Sequence, residues 1–262
     1  PELCFEPNDR LDITEYTQVA LLTTSVAIME VLKDRGIKPD VAAGLSLGEY
    51  CALVAANSMN YIDAAKAVRK RGIYMQEEVP AGVGGMAAIM GLESTEIEKA
   101  IADIPQVQVA NYNCPGQLVV AGLRSEIEAL KPMVKEAGGR MVPLAVSGGF
   151  HSPFMSGAAE AFARVLDATF FLPGRMPVYA NLTAKPYEAG KEKSLLAKQM
   201  ENPVRWEQTL RNMAVDGFDI FIEVGPGKTL SGLVAKTLPE AKIYHVEDAE
   251  TLKTTAKAVL EQ

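Results

Sequence analysis

Ser46 stands between two glycines, each two residues away, in the run Val41-Ala-Ala-Gly-Leu-Ser-Leu-Gly-Glu-Tyr50. A short apolar stretch leads in and a helix-forming stretch leads out, so the segment reads as strand, sharp turn and helix, the helix opening at Glu49. Such a turn holds the serine out from the strand tip and crowds the backbone, which residues lacking a Cβ relieve. This is the nucleophile-elbow pattern. The helix behind it aims free N–H groups and its positive dipole end at the place where an oxyanion would develop.

The flanking chain supplies an α/β frame. Residues 15–34 have a helical stripe of Val19, Leu22, Val26 and Met29, with Thr14 as the expected cap, Gly36 as the stop and Pro39 beyond it. Residues 41–44 are expected to be a buried strand. A second helix is expected over 62–79, with Tyr61, Ala65, Val68, Gly72, Met75 and Val79 on its buried face. Arg71 lies three residues after Val68 and four before Met75. That spacing aims it inward, whereas Lys66, Arg69 and Lys70 fall on solvated faces.

After a glycine-rich hinge at 80–85 the rhythm changes. Strands are expected at 86–92, 107–112, 117–121 and 141–146, with helices at 94–103 (capped by Ser94) and 126–137. That order, β-α-β-β-α-β, is the ferredoxin-like arrangement. Beyond it, His151 precedes Ser152 and Pro153, a good cap and first residue for a helix over 153–168. A histidine ahead of a helix N-terminus is favoured in its neutral form, as a general base requires. The α/β alternation then resumes, with strands at 178–181, 220–224 (buried) and 242–246, and helices at 194–200, 205–216, 229–238 and 251–260. Gly227-Lys-Thr229 resembles the end of a phosphate loop, but Ile222 stands where that loop needs glycine, so it reads as a tight turn.

Composition narrows the function classes. A net charge of −7 argues against nucleic-acid binding. No apolar run is long enough to span a bilayer, and the N-terminal residues do not form a signal peptide. Three sparse cysteines, Cys4, Cys51 and Cys114, have no metal-ligand spacing and suit free thiols in a reducing cytoplasm.

A serine nucleophile needs a positioned base. One assembly is hydrolase-like, with Ser46, Asp219 (or Asp216) and His245, but His245 falls within an expected strand. The other is Ser46 with His151 and no carboxylate, and it is the one favoured. A non-catalytic module that docks a carrier protein is the third reading.

Gly44-Leu-Ser-Leu-Gly-Glu49, Arg71-Gly72 with Met75-Gln76, Asn111 through Gln117, Phe150-His-Ser152, Gln199 with Asn202-Pro-Val204, and Glu223-Val-Gly-Pro-Gly-Lys228 occur in that order. Together they resemble the malonyl-CoA:acyl carrier protein transacylase family across nearly the whole chain. The resemblance implies a hydrolase-like parallel-sheet large domain (1–84 and 146–262) with the ferredoxin-like small domain (85–145) inserted. It implies ping-pong transfer of malonyl from coenzyme A to the phosphopantetheine thiol of acyl carrier protein, by a cytoplasmic monomer that needs no cofactor or metal beyond the thioester substrate. Ser46 would carry the malonyl group, His151 would be the base, and Arg71 would hold the malonyl carboxylate. Leu47 would offer a backbone N–H to the oxyanion, Gln199 would orient the base through its backbone carbonyl, and Phe150 would limit space at the acyl α-carbon. Lys185, Lys191, Lys193 and Lys198 are candidates for docking the acidic carrier. Two departures stand out. Leu45 replaces the family's usual histidine, and the family's opening strand and Gly-Gln-Gly-Ser-Gln loop do not occur in these residues, so the chain is expected to be incomplete at its start.

Overall fold

The computed structural model describes residues 2–80, 82–146 and 148–261. Ala81, in the expected hinge, and Ser147, in the stretch leading to His151, lie outside the described residues, as do Pro1 and Gln262. The chain is α/β, as the alternation of periods predicts. It opens with α1 (Glu2–Phe5) and α2 (Thr14–Asp34), then β1 (Ala42–Ala43), α3 (Gly48–Ala55) and α4 (Tyr61–Glu77). Thr14 is the first helical residue rather than the cap. Ile13 holds the cap position with no side-chain bond, so α2 is held mainly by its packing. Asn60 caps α4 through its side chain, accepting from the Asp63 N–H at 2.9 Å.

Helices α2 and α4 cross closely at Gly72, where a Cβ would lie 2.6 Å from the Glu15 Cα. No larger residue fits without parting them. This crossing turns the buried face of α4, Arg71 included, toward the core (Arg71 is 1% exposed). The main core gathers Leu22 of α2, Tyr50 and Leu53 of α3, and Val68 and Met75 of α4, with Phe162 from further along the chain.

The ferredoxin-like unit is present. It runs β2 (Gly84–Met90), α5 (Ser94–Ile101), β3 (Val107–Cys114), β4 (Gln117–Leu123), α6 (Arg124–Glu136) and β5 (Arg140–Pro143), with sheet order β5-β2-β4-β3 and antiparallel neighbours throughout. Its own core of Ile89, Ile97, Leu118, Ile127 and Leu130 fills the space under its two helices. Glu93, not Ser94, caps α5, in a reciprocal capping box with Glu96.

A 3-10 turn (Pro153–Met155), α7 (Ser156–Asp167), β6 (Val178–Tyr179) and α8 (Glu192–Gln199) follow. Next come β7 (Val204–Arg205), α9 (Trp206–Val215), β8 (Ile220–Val224), α10 (Thr229–Thr237), β9 (Lys242–Val246) and α11 (Ala249–Leu260). β7 was not expected. It joins the edge of β3 in parallel, so the small sheet gains a fifth strand from the segment assigned to the large domain. The parallel pairs of the large part are β1 with β6 and β8 with β9. β8 is less buried than expected: Ile220 is 40% exposed and the rest of the strand is half-buried.

Candidate active site

Ser46 leaves β1 with a φ of 53°, in the left-handed region that L-residues rarely occupy, and α3 begins two residues later. Gly44 makes this turn possible, because a Cβ there would lie 2.0 Å from the backbone carbonyl of Gly48. The parallel pairing of β1 with β6 puts Asn181, just past β6, beside the turn. Its Oδ1 accepts the Ser46 N–H at 2.6 Å, and its Nδ2 donates to the Gly44 carbonyl at 2.7 Å. One side chain thus braces both limbs of the elbow. Leu47 holds the N-cap position of α3, so its backbone N–H belongs to the unpaired first turn beside Ser46.

His151 also has a left-handed backbone, with φ 59°, and its N–H donates to the Met200 carbonyl at 3.0 Å. Its Nε2 lies 2.8 Å from Ser46 Oγ and its Nδ1 2.7 Å from the Gln199 carbonyl oxygen. A carbonyl only accepts, so Nδ1 carries the proton and Nε2 is free to accept the serine hydroxyl. The Gln199 backbone, expected to orient the base, supplies the carbonyl that faces Nδ1. The reason for the neutral imidazole differs from the one expected, however. A 3-10 turn follows His151 and the α-helix starts only at Ser156, while the Ser152 hydroxyl donates back to Gly149 rather than capping a helix. Burial, and then the positive charge of Arg71, lower its pKa from 6.5 to about 4.

Arg71 reaches this pair from α4. Its Nη2 donates to Ser46 Oγ at 3.1 Å and to Gln199 Oε1 at 2.8 Å, and its Nη1 donates to Gln18 Oε1 at 2.7 Å. Its face lies over Tyr50, 5.7 Å from the ring centroid. Among the described residues no carboxylate lies within ion-pair distance of it. Phe150 is buried in the main core beside His151. Leu45 packs into a separate cluster with Trp206 and Leu233.

Four residues of this site were absent from the sequence-based set of site residues. Gln18, Asn181 and Tyr187 are brought in by tertiary packing alone, and Glu49 was read only as part of the elbow motif. Glu49 is 1% exposed, and burial raises its carboxyl to about 7 despite hydrogen bonds from Tyr187, Gln199 and the Asn181 backbone. Gln18 carried one legible signal, a polar residue one turn before Leu22 in an otherwise apolar stripe.

The hydrolase-like alternative is not assembled. His245 lies within β9, 3.6 Å from the Glu247 carboxylate, and Asp216 accepts the Tyr179 hydroxyl. Lys185, Lys191 and Lys198 are exposed, and Lys193 donates to the Asp167 carbonyl.

An α/β fold presenting a serine on an elbow, bonded to a histidine that a backbone carbonyl orients, is built for acyl transfer through a serine ester. In agreement, the acyl transferase domain family matches residues 3–258. A malonyl CoA-acyl carrier protein transacylase of Bacillus subtilis (strain 168) is 43% identical over 267 residues, covering 99% of this chain and 84% of that relative. The enzyme of the same name from Staphylococcus aureus (strain MRSA252) is 40% identical over 251 residues, covering 93% of this chain and 80% of its own. The crystal structure of a malonyl CoA-acyl carrier protein transacylase from Clostridium perfringens superposes with a TM-score of 0.96 at 37% identity, covering 99% of this chain and 84% of that one. A malonyl-transacylase solved in complex with its type II polyketide acyl-carrier protein superposes with a TM-score of 0.93 at 36% identity, covering 97% and 84%. The chain belongs to the malonyl CoA-acyl carrier protein transacylase family.

Proposed function

We propose that Ser46 carries malonyl from coenzyme A to acyl carrier protein. The observation that carries this reading is Arg71: a buried guanidinium, bonded to the nucleophile's hydroxyl, with no carboxylate within ion-pair distance among the described residues. A buried cation with no direct ion pair is costly, and a substrate carboxylate is a group that would relieve that cost. Malonyl, unlike acetyl, brings one. Planar and doubly donating, the guanidinium would bind it through two parallel hydrogen bonds.

In the first half-reaction Ser46 Oγ attacks the thioester carbonyl carbon while His151 Nε2 takes the hydroxyl proton. The Leu47 N–H donates to the developing oxyanion. As the intermediate collapses, the C–S bond breaks and coenzyme A leaves with the proton held on Nε2. In the second half, Nε2 takes the proton of the carrier's phosphopantetheine thiol, the sulfur attacks the malonyl-serine ester, and Nε2 returns the proton to Ser46 Oγ. The Gln199 carbonyl keeps Nδ1 protonated throughout. Phe150 limits branching at the acyl α-carbon.

We assign the large domain to 1–84 and 146–262 and the small domain to 85–145, and read the protein as a cytoplasmic monomer. The separate core of the small domain supports the division, though β7 crosses it. Exposed Lys185, Lys191 and Lys198 suit an acidic carrier. The test is transfer of labelled malonyl from malonyl-CoA to phosphopantetheinylated carrier protein. Transfer by the wild type and none by Ser46→Ala is expected. Equal transfer by both would overturn the reading.

A further inference from the structure

Glu49 is a buried carboxylate that the transfer steps do not use, and one of its hydrogen bonds holds the side-chain amide of Gln199. Its Oε2 accepts from Gln199 Nε2 at 2.6 Å and from the Asn181 N–H at 3.2 Å, and its Oε1 accepts from the Tyr187 hydroxyl. Gln199 Nε2 also donates to the Ser46 carbonyl at 2.9 Å, and the other end of the same amide, Oε1, accepts from Arg71 Nη2 at 2.8 Å. The side chain of Gln199 therefore lies between a carboxylate and a guanidinium, with its NH2 toward the first and its oxygen toward the second. Turned over, it would set its NH2 against Arg71, donor against donor, and leave Glu49 facing an oxygen.

We infer that Glu49 is a positioning residue for malonyl recognition: by holding the Gln199 amide in this orientation, it fixes the Arg71 guanidinium that receives the acyl carboxylate. The inference rests on the malonyl-transfer reading above. The backbone carbonyl of the same Gln199 holds His151, but a turned side chain leaves the backbone in place. Loss of Glu49 should thus impair recognition of the carboxylate more than activation of the serine.

The polar and charged groups facing Glu49 are Tyr187 from the loop before α8, Gln199 from α8, Asn181 after β6, and Arg71 from α4. A glutamine at position 49 could keep an oxygen at the Oε2 place and turn its NH2 toward the Tyr187 hydroxyl, which can accept. Hydrogen bonding, not charge, is what the position needs.

The experiment compares wild type, Glu49→Ala, Glu49→Gln, Gln199→Met and the Glu49→Ala/Gln199→Met double variant. Steady-state malonyl-CoA turnover is measured for each, alongside single-turnover acetyl loading of Ser46 from acetyl-CoA. Glu49→Ala is expected to raise KM for malonyl-CoA about tenfold or more, the size expected when hydrogen bonds around a charged group are lost. Acetyl loading should change less than about threefold, and Glu49→Gln should restore most of the malonyl KM. Gln199→Met should reproduce the malonyl-specific loss, and the double variant should add little to it, because the two act as one unit. If Glu49→Ala does not fold, the glutamine and methionine variants still decide. Equal losses for malonyl and acetyl, an unchanged malonyl KM, or a double variant whose losses multiply would overturn the assignment. A wild type that never loads malonyl would instead overturn the function itself.

Discussion

Arg71 Nη2 lies 3.1 Å from Ser46 Oγ, so the cation suited to an acyl carboxylate is bonded to the hydroxyl that would receive the acyl group. Recognition and chemistry are thereby coupled. Arg71 is also the second cause, after burial, of the lowered His151 pKa. A carboxylate bound at Arg71 would cancel that charge and make His151 a stronger base once malonyl is seated.

The pH dependence of kcat/KM follows. His151 acts when neutral, and with its pKa lowered from 6.5 to about 4, activity should hold as pH falls through 6.5 and be lost only toward 4. Arg71→Ala removes one of the two causes and should move this acid limb upward, toward the ordinary histidine value. Rate profiles on malonyl-CoA for the wild type, and on acetyl-CoA for both proteins, check the positions.

Asn181→Ala should weaken both stability and turnover. The change leaves the Ser46 N–H and the Gly44 carbonyl without their partner, at a cost of about 1–3 kcal/mol. Asn181→Asp should be no better for activity, because a carboxylate oxygen would then face the Gly44 carbonyl. Denaturant melts and kcat together test this.

Gly44→Ala should fail more severely than its size suggests. The added methyl would lie 2.0 Å from the Gly48 carbonyl, which is backbone and cannot turn aside. Overpacking of this kind costs about 1–3 kcal/mol or more. The expected outcome is a lower melting temperature with Ser46 unreactive toward malonyl-CoA in whatever folds.

His245→Ala should leave malonyl turnover within about twofold of wild type, as is usual for a change away from the site, whereas His151→Ala should lose about 100-fold or more, the share general acid–base catalysis supplies. Side-by-side initial rates decide between the two histidines. The reverse order would favour the hydrolase-like assembly.

The parts of the site legible in the sequence were those written in local periodicity. Ser46 shows in its glycine spacing, Arg71 in its distance from Val68 and Met75, and the small domain in its strand and helix rhythm. Gln18 showed only as a polar residue in an apolar stripe, and Asn181 and Tyr187 were not legible, because their partners lie 135 and 138 residues away in sequence and only the packed fold unites them. The neutral state of His151 was anticipated for the wrong reason. Ser152-Pro153 reads locally as a helix start, yet the chain takes a 3-10 turn first, and burial sets the pKa instead. β7 escaped because two residues after Pro203 carry no periodic signal, and the exposed edge of β3 recruits them.

The most direct test of the central claim offers wild type and Arg71→Ala an equimolar mixture of malonyl-CoA and acetyl-CoA and reads the acyl group on Ser46 by peptide mass spectrometry. The account predicts malonyl on the wild-type serine and, in the variant, loss of that preference by about tenfold or more, as befits a charge-assisted bidentate pair. A variant that still prefers malonyl, or a wild type that carries no malonyl on Ser46, would contradict it.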